Sequence, residues 1–167
     1  RSRSQAGDLA VVIGCGPIGL MTALVARHLG LRVVISELNE ARIALAQKLG
    51  FTVVNPTKTD LRAFVLDQTD STGADAVFEV TGTQAGLDTA VDLIHPHSRI
   101  VLVAAYPHPM QLQLQKLFMR EVDLTMTRNY NACDFEDAIA MMSHSSIDFD
   151  LLITEVLPLG RVQEGME

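Results

Sequence analysis

Gly14, Gly16 and Gly19, within the stretch GCGPIG, are the residues whose spacing points most directly to chemistry. They fit G-x-G-x-x-G, a weak signal when it stands alone. Its neighbours give it force. The apolar run LAVVI (Leu9–Ile13) precedes it and reads as a buried strand. Pro17 suits the first turn of a following helix, where its missing N–H costs nothing. Glu37 stands eighteen residues beyond Gly19 and closes a second apolar run, LRVVISE. A strand, a glycine turn, a helix and an acidic strand end together make the fingerprint of a dinucleotide site. Gly14 permits the tight turn out of the strand. A side chain at Gly16 would collide with a pyrophosphate, and Gly19 lets the helix lie close to the sheet. The free N–H groups and the dipole of the helix start then hold the phosphates.

The competing reading of these glycines is a tight strand-to-helix turn with no ligand, which leaves the acidic residue a coincidence. A Gly-Lys-Ser/Thr phosphate loop is excluded, because that ending is absent. Methyltransferases share the glycine turn and the acidic strand end, but Ile18 stands where a third alternating glycine would serve them better. Glu37 can accept from the adenosine ribose hydroxyls, and it would oppose a 2′-phosphate. Two unit charges ~4 Å apart interact by about 4 kcal/mol at an effective dielectric near 20, and by less once solvent screens them. NAD is therefore expected over NADP. Otherwise Glu37 is a solvated strand end. Arg42 either swings towards a 2′-phosphate or pairs with Glu40 or Glu37.

The other elements must position this loop. The first helix is expected from about Pro17 to residue 29, stopped by Gly30, followed by a strand over residues 31–37. Asn39 can cap a helix that stops at Gly50. FTVV is a third strand, and a polar helix over residues 58–68 follows with Thr57 as its cap. The alternation then repeats. Strands are expected at residues 75–80, 98–104 and 121–127, and helices at 84–94, 111–119 and 134–142, the last capped by Asp134. LLITEVLPLG reads as one more extended piece. This rhythm implies an α/β fold: a Rossmann-type, doubly wound, parallel six-stranded sheet.

Composition bounds the rest. The 167 residues fit one dinucleotide-binding domain over residues 1–167, and 48% hydrophobic residues suffice for a core. PLGRVQEGME looks like the opening of a helix that does not finish, so a fragment of a longer protein is expected. The net charge of −7 argues against nucleic acid as a partner. Leu9 to Ala26 carry no charge, but GCGPIG would break a spanning helix and Asp8 heads the run, so no membrane partner is expected. Cys15 and Cys133 have neither metal-ligand nor disulfide-framework spacing, which makes a reducing cytoplasm the expected location.

GCGPIGL, then ARHLG, then VVISELNEARIALAQKLGF resemble the cofactor domain of the medium-chain dehydrogenase/reductase family. GADAVFEVTG, SRIVLVAAY and MREVDLTMTRNY extend the likeness over nearly the whole chain. The most similar branch is the zinc-dependent alcohol, polyol and threonine dehydrogenases. The resemblance implies an oxidoreductase passing hydride between an alcohol or polyol and NAD. It places Gly14, Gly16, Pro17, Ile18, Gly19, Glu37, Leu38 and Arg42 around the cofactor, with Val80, Thr81 and Thr83 beside its adenosine side. Val103, Ala104 and Ala105 would lie by the nicotinamide, with backbone groups reading the carboxamide. Arg128 and Tyr130 fall in a loop that approaches the cofactor in relatives, or are a surface arginine and a half-buried tyrosine.

The preceding catalytic domain of that family, with its Gly-His-Glu motif and zinc ligands, is absent, so zinc is expected in the parent protein only and no catalytic residue on this chain. His95 and His97 flank Pro96 and read as a solvated turn, since no third ligand is near in sequence. His108, in YPHP, either touches cofactor or substrate or lies on a loop surface. His28 and His144 carry no role, and Cys133 has no base near it in sequence. Two other functions stay open: a non-catalytic nucleotide-binding or redox-sensing module, and an NADP-dependent, zinc-free quinone reductase. Finally, EVDLTMT, which opens on Glu121 and closes on Thr127, should be an edge strand with unpaired backbone groups. Relatives pair this strand with its copy, so a homodimer is expected.

Overall fold

A computed structural model describes residues 1–145 and 147–166. The chain divides into two compact units, residues 1–131 and 132–167. The first is built on β1 (Leu9–Ile13), every residue of which is buried. Burial on both faces is what a parallel sheet covered by helices demands, and LAVVI supplies apolar residues for both. β1 pairs in parallel with β2 (Arg32–Ser36) on one side and β4 (Ala74–Glu79) on the other. With β3 (Thr52–Val54), β5 (Ile94–Leu102) and β6 (Asp123–Met126), the sheet is wholly parallel and runs β3-β2-β1-β4-β5-β6. The expected doubly wound sheet is therefore present. Its strand order reverses between β1 and β4, which opens a crevice beyond their carboxyl ends.

Helices α1 (Pro17–His28), α2 (Glu40–Lys48), α3 (Leu61–Asp67), α4 (Gln84–Leu93) and α5 (Leu114–Met119) connect the strands. Leu9, Val11 and Ile13 share one core with Val65, Leu87, Val91 and Ile100. Ala10 joins a smaller cluster with Ala26, Leu31 and Ala76. The small residues at Ala10, Ala26 and Ala76 let α1 sit close over β1. The uncharged run from Leu9 to Ala26 is thus divided into strand, turn and helix. Among the described residues no helix is long and apolar enough to cross a membrane.

Within the first unit, several local expectations change. The cap of α3 is Asp60, whose carboxylate accepts the Ala63 N–H at 3.0 Å. Thr57 instead closes a turn on Asn55 Oδ1, through its N–H at 3.0 Å and its hydroxyl at 2.7 Å. β5 starts at Ile94, so His95 and His97 lie in its irregular first half, where the register shifts opposite Ala74 and Ala76. β6 is shorter than EVDLTMT, because Glu121 sits at φ 50°, outside extended backbone.

The second unit holds α6 (Ala132–His144), two 3-10 turns (Phe149–Leu152 and Leu159–Arg161) and α7 (Val162–Met166). α6 begins before Asp134, which places that residue in the first turn rather than at the cap. The first of the 3-10 turns replaces the start of the extended piece expected from LLITEVLPLG.

Candidate cofactor site

The glycine loop leaves β1 at its carboxyl end. Gly14 has φ +103°, and its N–H donates to the Ser36 carbonyl at 2.8 Å. A Cβ there would lie 2.8 Å from Thr81 Cγ2 and 3.1 Å from Val80 Cγ2. At Gly19 a Cβ would fall on the Gly14 carbonyl group, 2.9 Å from its carbon and 2.9 Å from Val80 Cγ2. Both positions are therefore glycine for reasons internal to the fold.

Gly16 is different. Its φ of −69° and ψ of −176° suit any residue. Among the described residues, the nearest atom to a Cβ at Gly16 is Arg42 Nη1, at 3.9 Å. The protein itself leaves this space open. Gly16 is also the N-cap of α1, and no side chain caps the helix there. Pro17 occupies its first position, so one of the unpaired donors of that turn is already missing. Gly16 lines an open cleft, whereas Pro17, Ile18 and Gly19 are not among its lining residues; Ile18 is 61% exposed.

Glu37 is buried, 8% exposed, and is not a solvated strand end. Its Oε2 accepts the Cys15 N–H at 2.7 Å, while Oε1 accepts from Leu38 N–H at 2.7 Å and Asn39 N–H at 2.9 Å. Arg42 Nη1 lies 3.8 Å from Oε2, so the guanidinium pairs with Glu37; Glu40 instead takes Lys58 at 2.7 Å. Burial pushes the Glu37 carboxyl up, but the three backbone N–H groups and Arg42 outweigh it and hold the group below the usual carboxylate range. The same carboxylate ties down the glycine loop. Burial first, then the Glu37 charge, push the Cys15 thiol up to about 11, which leaves it a poor nucleophile at neutral pH.

A cleft of about 370 Å³ gathers Gly14, Gly16, Glu37, Leu38, Arg42, Val80, Thr81 and Thr83. Asn39 positions Arg42 by capping α2: its Oδ1 accepts the Ala41 and Arg42 N–H groups at 3.0 and 3.1 Å. Thr83 caps α4, its hydroxyl accepting the Gly86 N–H at 3.0 Å. Val103, Ala104 and Ala105 do not line this cleft. The Val103 and Ala104 N–H groups donate to the Glu79 carbonyl at 2.9 and 3.3 Å, so those two donors are already engaged. Arg128 is exposed, and Tyr130 is 70% exposed rather than half-buried. His108 is exposed, and His97 Nδ1 lies 3.4 Å from Glu121 Oε2 at the surface. Among the described residues, no three His, Cys, Asp or Glu side chains come together as a metal site.

Sequence reasoning overlooked Glu79 and Tyr106. Glu79 is fully buried at the end of β4, and Tyr106 donates its hydroxyl to it. The signal was present: one carboxylate closes the otherwise apolar stretch AVFEV.

A profile for zinc-binding dehydrogenases matches residues 17–144. The chain belongs to the zinc-binding dehydrogenase family. It is 39% identical over 162 residues to 2-dehydro-3-deoxy-L-galactonate 5-dehydrogenase of Pseudoalteromonas atlantica, covering 97% of itself and 48% of that protein. It is 34% identical over 170 residues to (R,R)-butanediol dehydrogenase of Neisseria gonorrhoeae, covering 100% of itself and 48% of the other. Among solved structures, 2R,3R-butanediol dehydrogenase from Bacillus subtilis superposes with a TM-score of 0.85 at 29% identity, over 92% of this chain and 44% of that one. The chain thus spans about half the length of the curated relatives it matches. The match agrees with the medium-chain dehydrogenase/reductase cofactor domain read from GCGPIGL and VVISELNEARIALAQKLGF.

Proposed function

We propose that the chain binds NAD(H) across the β1–β4 reversal and is the cofactor half of a dehydrogenase acting on an alcohol or polyol. The observation that carries this reading is Gly16: a position with ordinary backbone angles and free space, kept without a side chain beside an uncapped helix start. A pyrophosphate accounts for both features.

When bound, the nicotinamide supplies the hydride chemistry, and the protein supplies binding and orientation. The first turn of α1 would hold the phosphates between Gly16 and Ile18. Glu37 has about four lone-pair sites, three of which are engaged by backbone N–H groups, so it has one left for a ribose hydroxyl. Its fixed negative charge opposes a 2′-phosphate, although the half-exposed Arg42 weakens that opposition. Leu38, 60% exposed, offers an apolar surface to an adenine, and Val80, Thr81 and Thr83 line the same cleft. Residues 103–105 would border the nicotinamide and present carbonyl oxygens to its amide.

Among the described residues the histidines and cysteines do not come together in a way that fits a catalytic zinc. Substrate binding, zinc and the proton relay belong in this reading to the other half of the relatives' length, and the chain alone binds cofactor without oxidising an alcohol. β6, at the edge of the sheet, is the strand through which two copies would pair. Calorimetric titration with NADH and NADPH tests the proposal. The expected result is tighter binding of NADH, by tenfold or more. Tighter NADPH binding would overturn the role given to Glu37, and absence of binding by either would overturn the site.

A further inference from the structure

Glu79 is 0% exposed, and among the described residues no lysine or arginine pairs with it. A carboxylate in such a place costs several kcal/mol unless donors surround it. Four do. Oε1 accepts the Thr81 N–H at 2.8 Å and the Thr81 hydroxyl, and Oε2 accepts the Gly82 N–H at 3.2 Å and the Tyr106 hydroxyl. The first turn of α4 packs directly on it, because a Cβ at Gly86 would stand 2.5 Å from Oε1. The positive end of that helix therefore also faces the carboxylate. The Glu79 main chain adds a further tie, since its carbonyl accepts the Val103 and Ala104 N–H groups.

One residue thus fastens two loops. One of them follows β4 and carries Val80, Thr81 and Thr83; the other follows β5 and carries residues 103–106. Tyr106 anchors the second loop twice, by packing its ring against the main core and by its hydroxyl. Burial, then the hydrogen bond and charge of Glu79, push the Tyr106 phenol up, so it remains a donor throughout the neutral range. An apolar residue at position 79 would fill the core at lower cost, as Val77 does on the same face. What it could not do is hold the two loops at a fixed separation.

We infer that Glu79 is a positioning residue, and that its bond to Tyr106 sets the loop assigned to the nicotinamide relative to the loop of Val80, Thr81 and Thr83 that lines the cleft. This rests on the reading of residues 103–105 as the nicotinamide border. The test compares NADH with ADP-ribose, which lacks the nicotinamide, on the 167-residue chain and on Tyr106→Phe, which keeps the ring and removes only the hydroxyl. The expected result is about a tenfold weaker Kd for NADH with ADP-ribose unchanged within twofold, together with a loss of the fluorescence enhancement of bound NADH. Glu79→Gln, which swaps an acceptor for a donor among four donors, should weaken both ligands; should it fail to fold, Tyr106→Phe decides alone. Equal weakening of both ligands by Tyr106→Phe, or no weakening, overturns the inference and leaves the cofactor site standing. A wild-type chain that binds neither ligand overturns both.

Discussion

Gly16→Ala and Gly19→Ala add the same single carbon to the same loop, and the structure gives them opposite consequences. At Gly16 the new methyl group meets open space, with Arg42 Nη1 3.9 Å away. Alanine is a poorer N-cap than glycine by roughly 0.5–1 kcal/mol. It also narrows the unfolded ensemble, which offsets about 0.4–1 kcal/mol of that. Stability should then change by less than about 1 kcal/mol, or ~3 °C in Tm for a chain of this size. Binding is another matter. The methyl group takes the place assigned to the pyrophosphate and would cost it one or two charge-assisted hydrogen bonds, each about 1.5–3 kcal/mol. A loss near 3 kcal/mol is roughly a hundredfold in Kd. At Gly19 the methyl group would land on the Gly14 carbonyl and 2.9 Å from Val80 Cγ2, where backbone has to move. Overpacking of that kind costs about 3 kcal/mol, or ~10 °C in Tm. Thermal melts followed by circular dichroism, with and without NADH, separate the two effects. Gly16→Ala should melt like wild type but need roughly a hundredfold more NADH for the same gain in Tm. A Gly16→Ala chain that binds NADH as wild type does would refute the assignment of this space to the cofactor.

Two further outcomes follow from named contacts. The Glu37 carboxyl is held below its ordinary range in the folded chain, so its contribution to stability is complete above the unfolded value near 4.5 and is lost as pH falls through the folded value. Glu37→Gln should flatten the acid limb of stability against pH, and should cost about 1–3 kcal/mol at pH 7 by leaving buried N–H groups poorly paired; urea midpoints between pH 3 and 7 check both. At the sheet edge, Met126 is 70% exposed on β6. Met126→Lys places a charge on the edge proposed for pairing, so light scattering at tens of micromolar should show wild-type dimers and variant monomers with nearly equal Tm. A monomeric wild type would refute that edge as an interface.

Much of this fold is written in short windows. LAVVI is apolar for both faces of a parallel sheet, GCGPIG breaks the run where backbone must turn, and Asn39 caps α2 as its position implies. Such features depend on contacts within a few residues, so periodicity and turn chemistry reveal them. The Asp60 cap was missed although it too is local, because Thr57 and Asp60 are both good caps and the choice turned on Asn55 capturing Thr57. The site is only partly local. The division of labour among the glycines could be read, Gly14 for the turn, Gly19 for close helix packing and Gly16 for the ligand, but not the neighbours that enforce it. That distinction depends on Thr81, Val80 and Arg42, which the sheet brings in from other windows. Glu37 stood out as an acidic strand end, yet its grip on the Cys15 N–H joins residues 22 apart. Glu79 and Tyr106, 27 apart, meet because β4 and β5 are neighbours. Side-chain type and spacing along the chain determined which elements form and where a dinucleotide could sit. Which polar groups are buried together was decided by strand order alone, because hydrogen bonds are directional and short and only the assembled sheet brings distant windows within their reach.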